Sequence, residues 1–266
     1  MMKLIRLLPV LAAAACTTSA TLESVANEYA IRNAGVYGVS AFGDADPVKI
    51  RGKQPGDFAI HGTDVSRHNK AVDWKKAKRN GIEFVFIKAT EGGDDRDPSF
   101  RKYWAGAARA GVERSAYHFY YFCASPEKQA RNYMAAVPKR ESSLPPVLDV
   151  EWNPKSPTCT KRPPRSETVD VLGRWLRMIE AHYGQKPIIY TTVDFYEHTF
   201  SGGALPGYQY WLRSVTAEPK YKYNRGWVFW QYSGTGLVPG MEGIVDLNAF
   251  KGSRAEWTRW VAANKR

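Results

Sequence analysis

LPPVLDVEW, residues 144–152, leads four apolar residues and two prolines into Asp149 and Glu151, one residue apart. Its apolar density is that of a buried strand. A strand alternates its side chains with period two, so both carboxylates leave the same face with Cα atoms roughly 6 to 7 Å apart. A buried strand that ends in two acids pointing together needs a fold that gathers strand ends into one place.

Working outward from that strand, short apolar runs alternate with helical stretches. The runs FAIHGTDVS, FVFIKATEG, RSAYHFYYF, PPVLDVEW, PIIYTT, YWLRSV, WVFWQYS and IVDLNAF read as eight strands. Between them lie helix signals: DWKKAKRNG ending on Gly81, PSFRKYWAGAARAG ending on Gly111, and SPEKQARNYMAAV with Ser125 as cap and Pro126 in the first turn. The clearest helix is SETVDVLGRWLRMIEAHYG, where Val169, Leu172, Leu176, Ile179 and Tyr183 recur at helical spacing before Gly184. Strand and helix alternation implies a parallel sheet, and eight strands imply a closed α/β barrel of the TIM-like kind. The last three strands lie too close in sequence for full crossover helices, so an irregular final third is expected.

The bulk numbers agree with one such domain. A chain of 266 residues with 44% hydrophobic and 13% aromatic residues can bury a large core. Its formal charge is +12, yet the 38 Lys and Arg are scattered, with no basic run interleaved with aromatics as in a nucleic-acid groove. An acidic polymer or surface fits better than nucleic acid. MMKLIRLLPVLAAAAC places Lys3 and Arg6 ahead of a short apolar run and small residues, the build of an export signal over residues 1–16. Small residues directly before Cys16 resemble a lipoprotein processing site, although Ala13 stands where that pattern prefers Leu; lipidation of Cys16 and ordinary cleavage nearby both remain open. Residues 17–57 show no sustained period and read as a tether or partly ordered arm, which leaves 58–266 as the barrel.

In a barrel the active site forms at the C-terminal ends of the strands. Asp64, Lys88 with Glu91, Tyr117 with His118, Asp149 with Glu151, Tyr190, Gln231, and Asp246 with Asn248 would share that rim. Converging acids are costly unless they do chemistry or bind a cation. Asp64 or Asp246 alone could equally be a turn or cap acid. Tyr117, Tyr190, Trp211 and Trp230 could offer flat faces to a ligand or simply pack the barrel. Lys88 and Gln231 could bond substrate or hold the acids. His118 and His68 lack a paired ligand at metal spacing, so no metal or other cofactor is expected and His118 reads as a wall residue.

The runs DVS at 64–66, FIKATEG at 86–92, YHF at 117–119, LDVEW at 148–152, IIYTT at 188–192, FWQYS at 229–233 and VDLN at 245–248 resemble the lysozymes of glycoside hydrolase family 25, the Chalaropsis-type muramidases. The motifs follow the family order and span about residues 58–262. One departure is WLRSVT at 211–216, where the family usually has Ala and a nearby Tyr after the Trp. The resemblance implies an irregular α/β barrel and hydrolysis of the β-1,4 bond between N-acetylmuramic acid and N-acetylglucosamine in peptidoglycan. It implies Glu151 as general acid, and Asp149, Asp64 and Asp246 as the other active-site acids. Glycoside cleavage needs an acid for the leaving oxygen and a second carboxylate for the oxocarbenium-like centre, which a D-x-E pair on one face can supply. An ionised Asp149 would raise the pKa of Glu151 by like-charge repulsion.

The 2-acetamido group beside the reacting carbon points to net retention, with substrate-assisted and covalent routes both open. Two other classes compete: a non-catalytic peptidoglycan-binding lipoprotein, which the presence of all four acids disfavours, and another barrel glycosidase such as a chitinase, which FIKATEG and FWQYS disfavour. The partner is then a peptidoglycan glycan strand, with membrane anchoring only through a lipidated Cys16, and the chain is expected to act as an exported monomer. Cys123 follows the third strand and Cys159 lies in the Pro-rich loop after the fourth, so a barrel brings both to one end. In an oxidising compartment a Cys123–Cys159 disulfide is predicted, against an alternative of two buried thiols.

Overall fold

The computed structural model describes residues 35–266 apart from 40, 140 and 142. The export signal, Cys16 and the first half of the 17–57 segment lie outside the described residues. The strands are β1 (Gly43–Asp44), β2 (His61–Val65), β3 (Ile82–Glu91), β4 (Asp95–Arg96), β5 (Glu113–Phe119), β6 (Val147–Val150), β7 (Ile188–Thr191), β8 (Gln209–Arg213), β9 (Phe229–Leu237) and β10 (Val245–Phe250). The eight long ones coincide with the eight expected runs. They form a closed ring in the order β2-β3-β5-β6-β7-β8-β9-β10, with β10 pairing back onto β2. From β2 to β9 each neighbour is parallel, whereas β10 is antiparallel to both β9 and β2.

The helices among the described residues are α1 (Trp74–Arg79), α2 (Phe100–Arg109), α3 (Pro126–Ala136), α4 (Arg165–Tyr183), α5 (Val193–Thr199) and α6 (Arg254–Asn264). The first four are the expected ones. Their ends follow the sequence signals: Asp73 accepts the Lys76 N–H at 3.0 Å, Ser125 accepts that of Lys128 at 3.2 Å, and Gly184 closes α4 in the left-handed conformation at φ +66°. Neither α5 nor α6 was expected, although Ser253 and Glu256 form a capping box at the start of α6. The last third is irregular as anticipated, with only a 3-10 turn at Pro219–Tyr221 between β8 and β9. No described helix is long and apolar enough to cross a membrane.

The period-two pattern sorts the strand residues into two cores. Ile60, Phe84, Phe86, Val147, Ile188, Trp211, Phe229 and Phe250 fill the barrel interior, and Trp257 of α6 joins them. Val85, Ile87, Leu148, Val150, Ile189, Leu212 and Trp230 face outward, in one cluster with Ala107, Tyr133, Leu172, Trp175, Leu176 and Ile179 of the helices. Gly62 is required by the inner packing, because a Cβ there would stand 2.4 Å from the Phe84 carbonyl oxygen and 2.5 Å from its ring.

The packed unit also reaches further back than Phe58. Tyr37, Phe42 and Ile50 are buried, β1 pairs with β9, and the Arg51 N–H donates to the Thr216 carbonyl at 3.0 Å while the Glu218 N–H donates to that of Arg51 at 2.7 Å. Residues 35–57 contain too few apolar residues for a period of their own and take their order from the β8–β9 side of the barrel.

Candidate active site

Alternation along each strand carries one set of side chains to the C-terminal mouth of the parallel strands. Asp64 of β2, Lys88 of β3, Tyr117 of β5, Asp149 of β6, Tyr190 of β7 and Gln231 of β9 belong to this inward set, with Glu151 two residues past Asp149. Asp246 reaches the same rim for the opposite reason. Because β10 runs backwards, its first residues lie at the mouth, and Asp246 pairs in register with Asp64.

Polar supports lie beneath the acids. The Tyr190 hydroxyl donates to Gln231 Oε1 at 2.9 Å, and Gln231 Nε2 donates to Asp64 Oδ2 at 3.0 Å. From the other side Trp211 Nε1 donates to Asn248 Oδ1 at 2.8 Å, and Asn248 Nδ2 donates to the same Asp64 oxygen at 2.8 Å. Burial nevertheless wins at Asp64 and pushes its carboxyl up to about 6, against these two hydrogen bonds and the charge of Arg213. Asp246 is pushed up to about 8, by burial first and by the charge of Asp64 second.

Asp149 is buried beside Glu151. Burial, followed by the neighbouring charge of Glu151, drives its carboxyl well above the usual aspartate range. Its Oδ1 is buried with no hydrogen-bond partner among the described residues. Glu151 is half-buried and is also raised, by burial first, with Asp194 and Asp64 adding to the effect and Arg213 and Lys88 opposing it. The sequence alone suggested the charge of Asp149 as the cause of that shift; the cause is instead burial, and the repulsion between the pair falls on Asp149, which holds its proton more firmly than an isolated acid. Two such neighbours titrate as a pair.

Lys88 is ion-paired with Glu91, lies 4.9 Å from the Phe119 ring centre, and is buried. Burial would raise the Glu91 carboxyl, but the hydrogen bonds from Lys88 and from the Tyr121 hydroxyl outweigh it and hold Glu91 below the usual range. Tyr117 and Tyr190 are buried phenols whose pKa values are raised by burial and then by the surrounding acids, so both stay neutral.

Several expected ligand contacts are corrected by burial. Trp230 is 0% exposed, faces the outer core one residue out of phase with Gln231, and donates its Nε1 to the Ser214 carbonyl at 2.7 Å. It offers no face to a sugar. Trp211 is inside the barrel, stacked on Phe86 with ring centres 4.2 Å apart, and Asn248 is fully buried. Both hold Asp64 from below instead of lining the cleft. His118 is a wall residue as read, bonded through Nδ1 to Thr90 at 2.7 Å and through Nε2 to Gln129 at 3.0 Å, and burial lowers its pKa to about 4.

The sequence reading missed Arg213, which follows Trp211 on the same face of β8 and is exposed at the mouth. The signal was the same period of two. Cys123 and Cys159 are disulfide-bonded with Cα atoms 5.7 Å apart, which ties the loop after Glu151 to the segment after β5. Among the described residues no cluster of three or more His, Cys, Asp or Glu could hold a metal ion.

A barrel with this acid-lined mouth matches the family model for glycosyl hydrolases family 25 over residues 63–241. The chain belongs to that family. It is a glycoside hydrolase. Among relatives of this family 25 chain, Lysozyme M1 of Streptomyces globisporus is 32% identical over 209 residues, covering 74% of this chain and 69% of the relative. The Escherichia coli (strain K12) protein YegX is 37% identical over 212 residues, covering 78% and 75%. The structure of a family 25 glycosyl hydrolase from Bacillus anthracis superposes with a TM-score of 0.69 at 35% identity, covering 76% of this chain and 94% of that one. The family 25 match begins at Thr63, so the packed segment 35–57 lies ahead of it.

Proposed function

We propose that this barrel is an exported muramidase that cleaves the β-1,4 bond between N-acetylmuramic acid and N-acetylglucosamine in peptidoglycan. Glu151 acts first as general acid on the leaving oxygen and then as general base on water. Asp149 orients and charge-stabilises the 2-acetamido group, Asp64 and Asp246 shape the field, and the first product keeps its anomeric configuration.

The observation that carries this reading is the buried, unpartnered Oδ1 of Asp149 next to a raised Glu151. An acceptor held dry and without a donor suits a substrate amide N–H. A carboxyl whose pKa is raised by burial keeps its proton to higher pH than an isolated glutamate, which suits a proton donor. The lysozyme name of the Streptomyces relative, at 32% identity, supports peptidoglycan as the substrate. The basic, apolar leader supports export to the periplasm or beyond, with a lipid on Cys16 as the anchored form, residues 17–57 as an arm whose later part packs on the barrel, and one barrel acting as a monomer.

Digesting purified peptidoglycan and chitin in parallel and reading the reducing ends by mass spectrometry tests the substrate. Muramic acid ends from peptidoglycan, with chitin untouched, are expected; cleavage of chitin alone would replace the muramidase with a chitinase, and binding without turnover would leave a wall-binding protein. Proton NMR of the first-formed anomer tests the stereochemistry, where an initial α-anomer would sink retention.

A further inference from the structure

An open pocket of about 330 Å³ lies beside the acids, lined by Thr192, Asp194, Glu197, Arg213, Ser214 and Lys222. Arg213 stands at the boundary between this pocket and the acid cluster. Its Nη2 is 4.0 Å, and Asp246 Oδ1 3.5 Å, from the point where a side chain on Gly234 would begin. The guanidinium is thus close to Asp246, yet among the described residues it makes no ion pair or side-chain hydrogen bond. Lys222, half-buried in the same pocket, also has no ion pair there. Its pKa is lowered by burial and then by the charges of Arg213 and Arg51. Two cations share one pocket, one of them partly out of water, and among the described residues neither is ion-paired, although Asp194 and Glu197 belong to the same lining.

Bringing like charges together in a partly desolvated pocket is unfavourable, and a bound anion offsets that cost. The chemistry of the pocket narrows the anion. A guanidinium fork matches a planar carboxylate through two parallel hydrogen bonds, and a lysine adds a point charge. Asp194 and Glu197 in the same lining oppose a second negative charge, which disfavours phosphate or sulfate. Asp194 is already engaged, since its Oδ1 accepts the Thr192 hydroxyl at 2.8 Å. Arg213 and Asp194 also both act electrostatically on Glu151, so the pocket adjoins the bond to be cleaved.

We infer that Arg213 and Lys222 form a subsite for one carboxylate that the substrate carries beside the scissile bond. The inference rests on the muramidase reading. Muramic acid supplies such a group in two ways: the lactyl carboxylate where the stem peptide has been removed, or a carboxylate of the stem peptide where it remains. Arg213 and Lys222 are specificity residues here; Glu151 keeps the proton chemistry.

The test compares wild type, Arg213→Ala, Arg213→Lys and Lys222→Ala on peptide-free glycan, on peptide-bearing glycan, and on peptide-free glycan whose lactyl carboxylates are methyl esters. Arg213→Ala keeps the backbone carbonyl that accepts the Tyr223 hydroxyl, so the fold is expected to survive. A charged hydrogen-bond pair predicts a loss of about ten-fold or more in kcat/KM on the free acid, carried mainly by KM, with little change on the ester. Arg213→Lys should recover part of it, and Lys222→Ala should show a smaller loss of the same kind. A loss confined to peptide-free glycan assigns the lactyl carboxylate, and one confined to peptide-bearing glycan assigns the stem. Equal losses on acid and ester would overturn the subsite. Calorimetric binding of the same glycans to Glu151→Gln, with and without Arg213→Ala, separates the two claims. If wild type cleaves no glycan the muramidase reading falls, yet carboxylate-dependent binding that Arg213→Ala abolishes would still support the subsite, and binding that Arg213→Ala leaves unchanged on every glycan would still refute it.

Discussion

Where the parallel strands begin, Phe84, Phe229, Phe250 and Trp257 pack their rings with centres 5.0 to 6.3 Å apart. Where the same strands end, Asp64, Asp149, Glu151 and Asp246 crowd together with every carboxyl raised by burial. One end removes apolar surface from water and stabilises the fold; the other removes acids from water and costs stability. The contrast teaches that the acid cluster is held in place by the rest of the barrel, and that the two ends should respond oppositely to substitution.

The largest effect is expected at the mouth. Asp149→Asn and Glu151→Gln should each lower turnover by about 100-fold or more, since acid–base and electrostatic roles are each of that size. Melting temperature should stay level or rise, because a neutral amide no longer has to suppress its charge. A parallel fall in activity and melting temperature would break the comparison. At the opposite end, Trp257→Ala should destabilise by about 3 to 5 kcal/mol, read by denaturant titration, while the turnover of the folded fraction is unchanged.

The disulfide is the exception that sharpens the contrast, since it braces the mouth. With a sequence separation of 36 between Cys123 and Cys159, replacing both by Ser should cost about 3 to 4 kcal/mol in the chain-entropy model. Melting with and without reductant checks this, and equal curves would refute it. The remaining effect is a change of slope. A carboxyl whose folded-state pKa lies above its unfolded one favours the fold while protonated, so the contribution of Asp246 is full below pH 3.8 and is lost as pH rises through about 8. Asp246→Asn should therefore flatten the decline of melting temperature across that window, and an unchanged slope would count against the raised pKa.

Much of this was legible because period two and helical spacing are strong local signals. The eight strands, the first four helices and the inward direction of Asp64, Asp149 and Gln231 follow from them. Trp230 was misread where the same rule, applied one residue away from Gln231, would have turned it outward. The reversed direction of β10 was not drawn, although the seven-residue link 238–244 is too short for the crossover a parallel partner needs. Residues 35–57 were read as an arm because Tyr37, Phe42 and Ile50 are ordered by contacts far away in sequence. Desolvation as the main cause of the Glu151 shift was hidden for the same reason: burial is a property of the assembled mouth, whereas the neighbouring Asp149 is visible in the sequence.

The central claim is that the crowded acids are retained for glycoside cleavage at muramic acid. Its most direct test is digestion of purified peptidoglycan by wild type and Glu151→Gln side by side, with reducing ends read by mass spectrometry and both proteins matched for melting temperature. The account predicts N-acetylmuramic acid ends from wild type and almost none from an equally folded Glu151→Gln. N-acetylglucosamine ends from wild type, or near-wild-type release by Glu151→Gln, would contradict it.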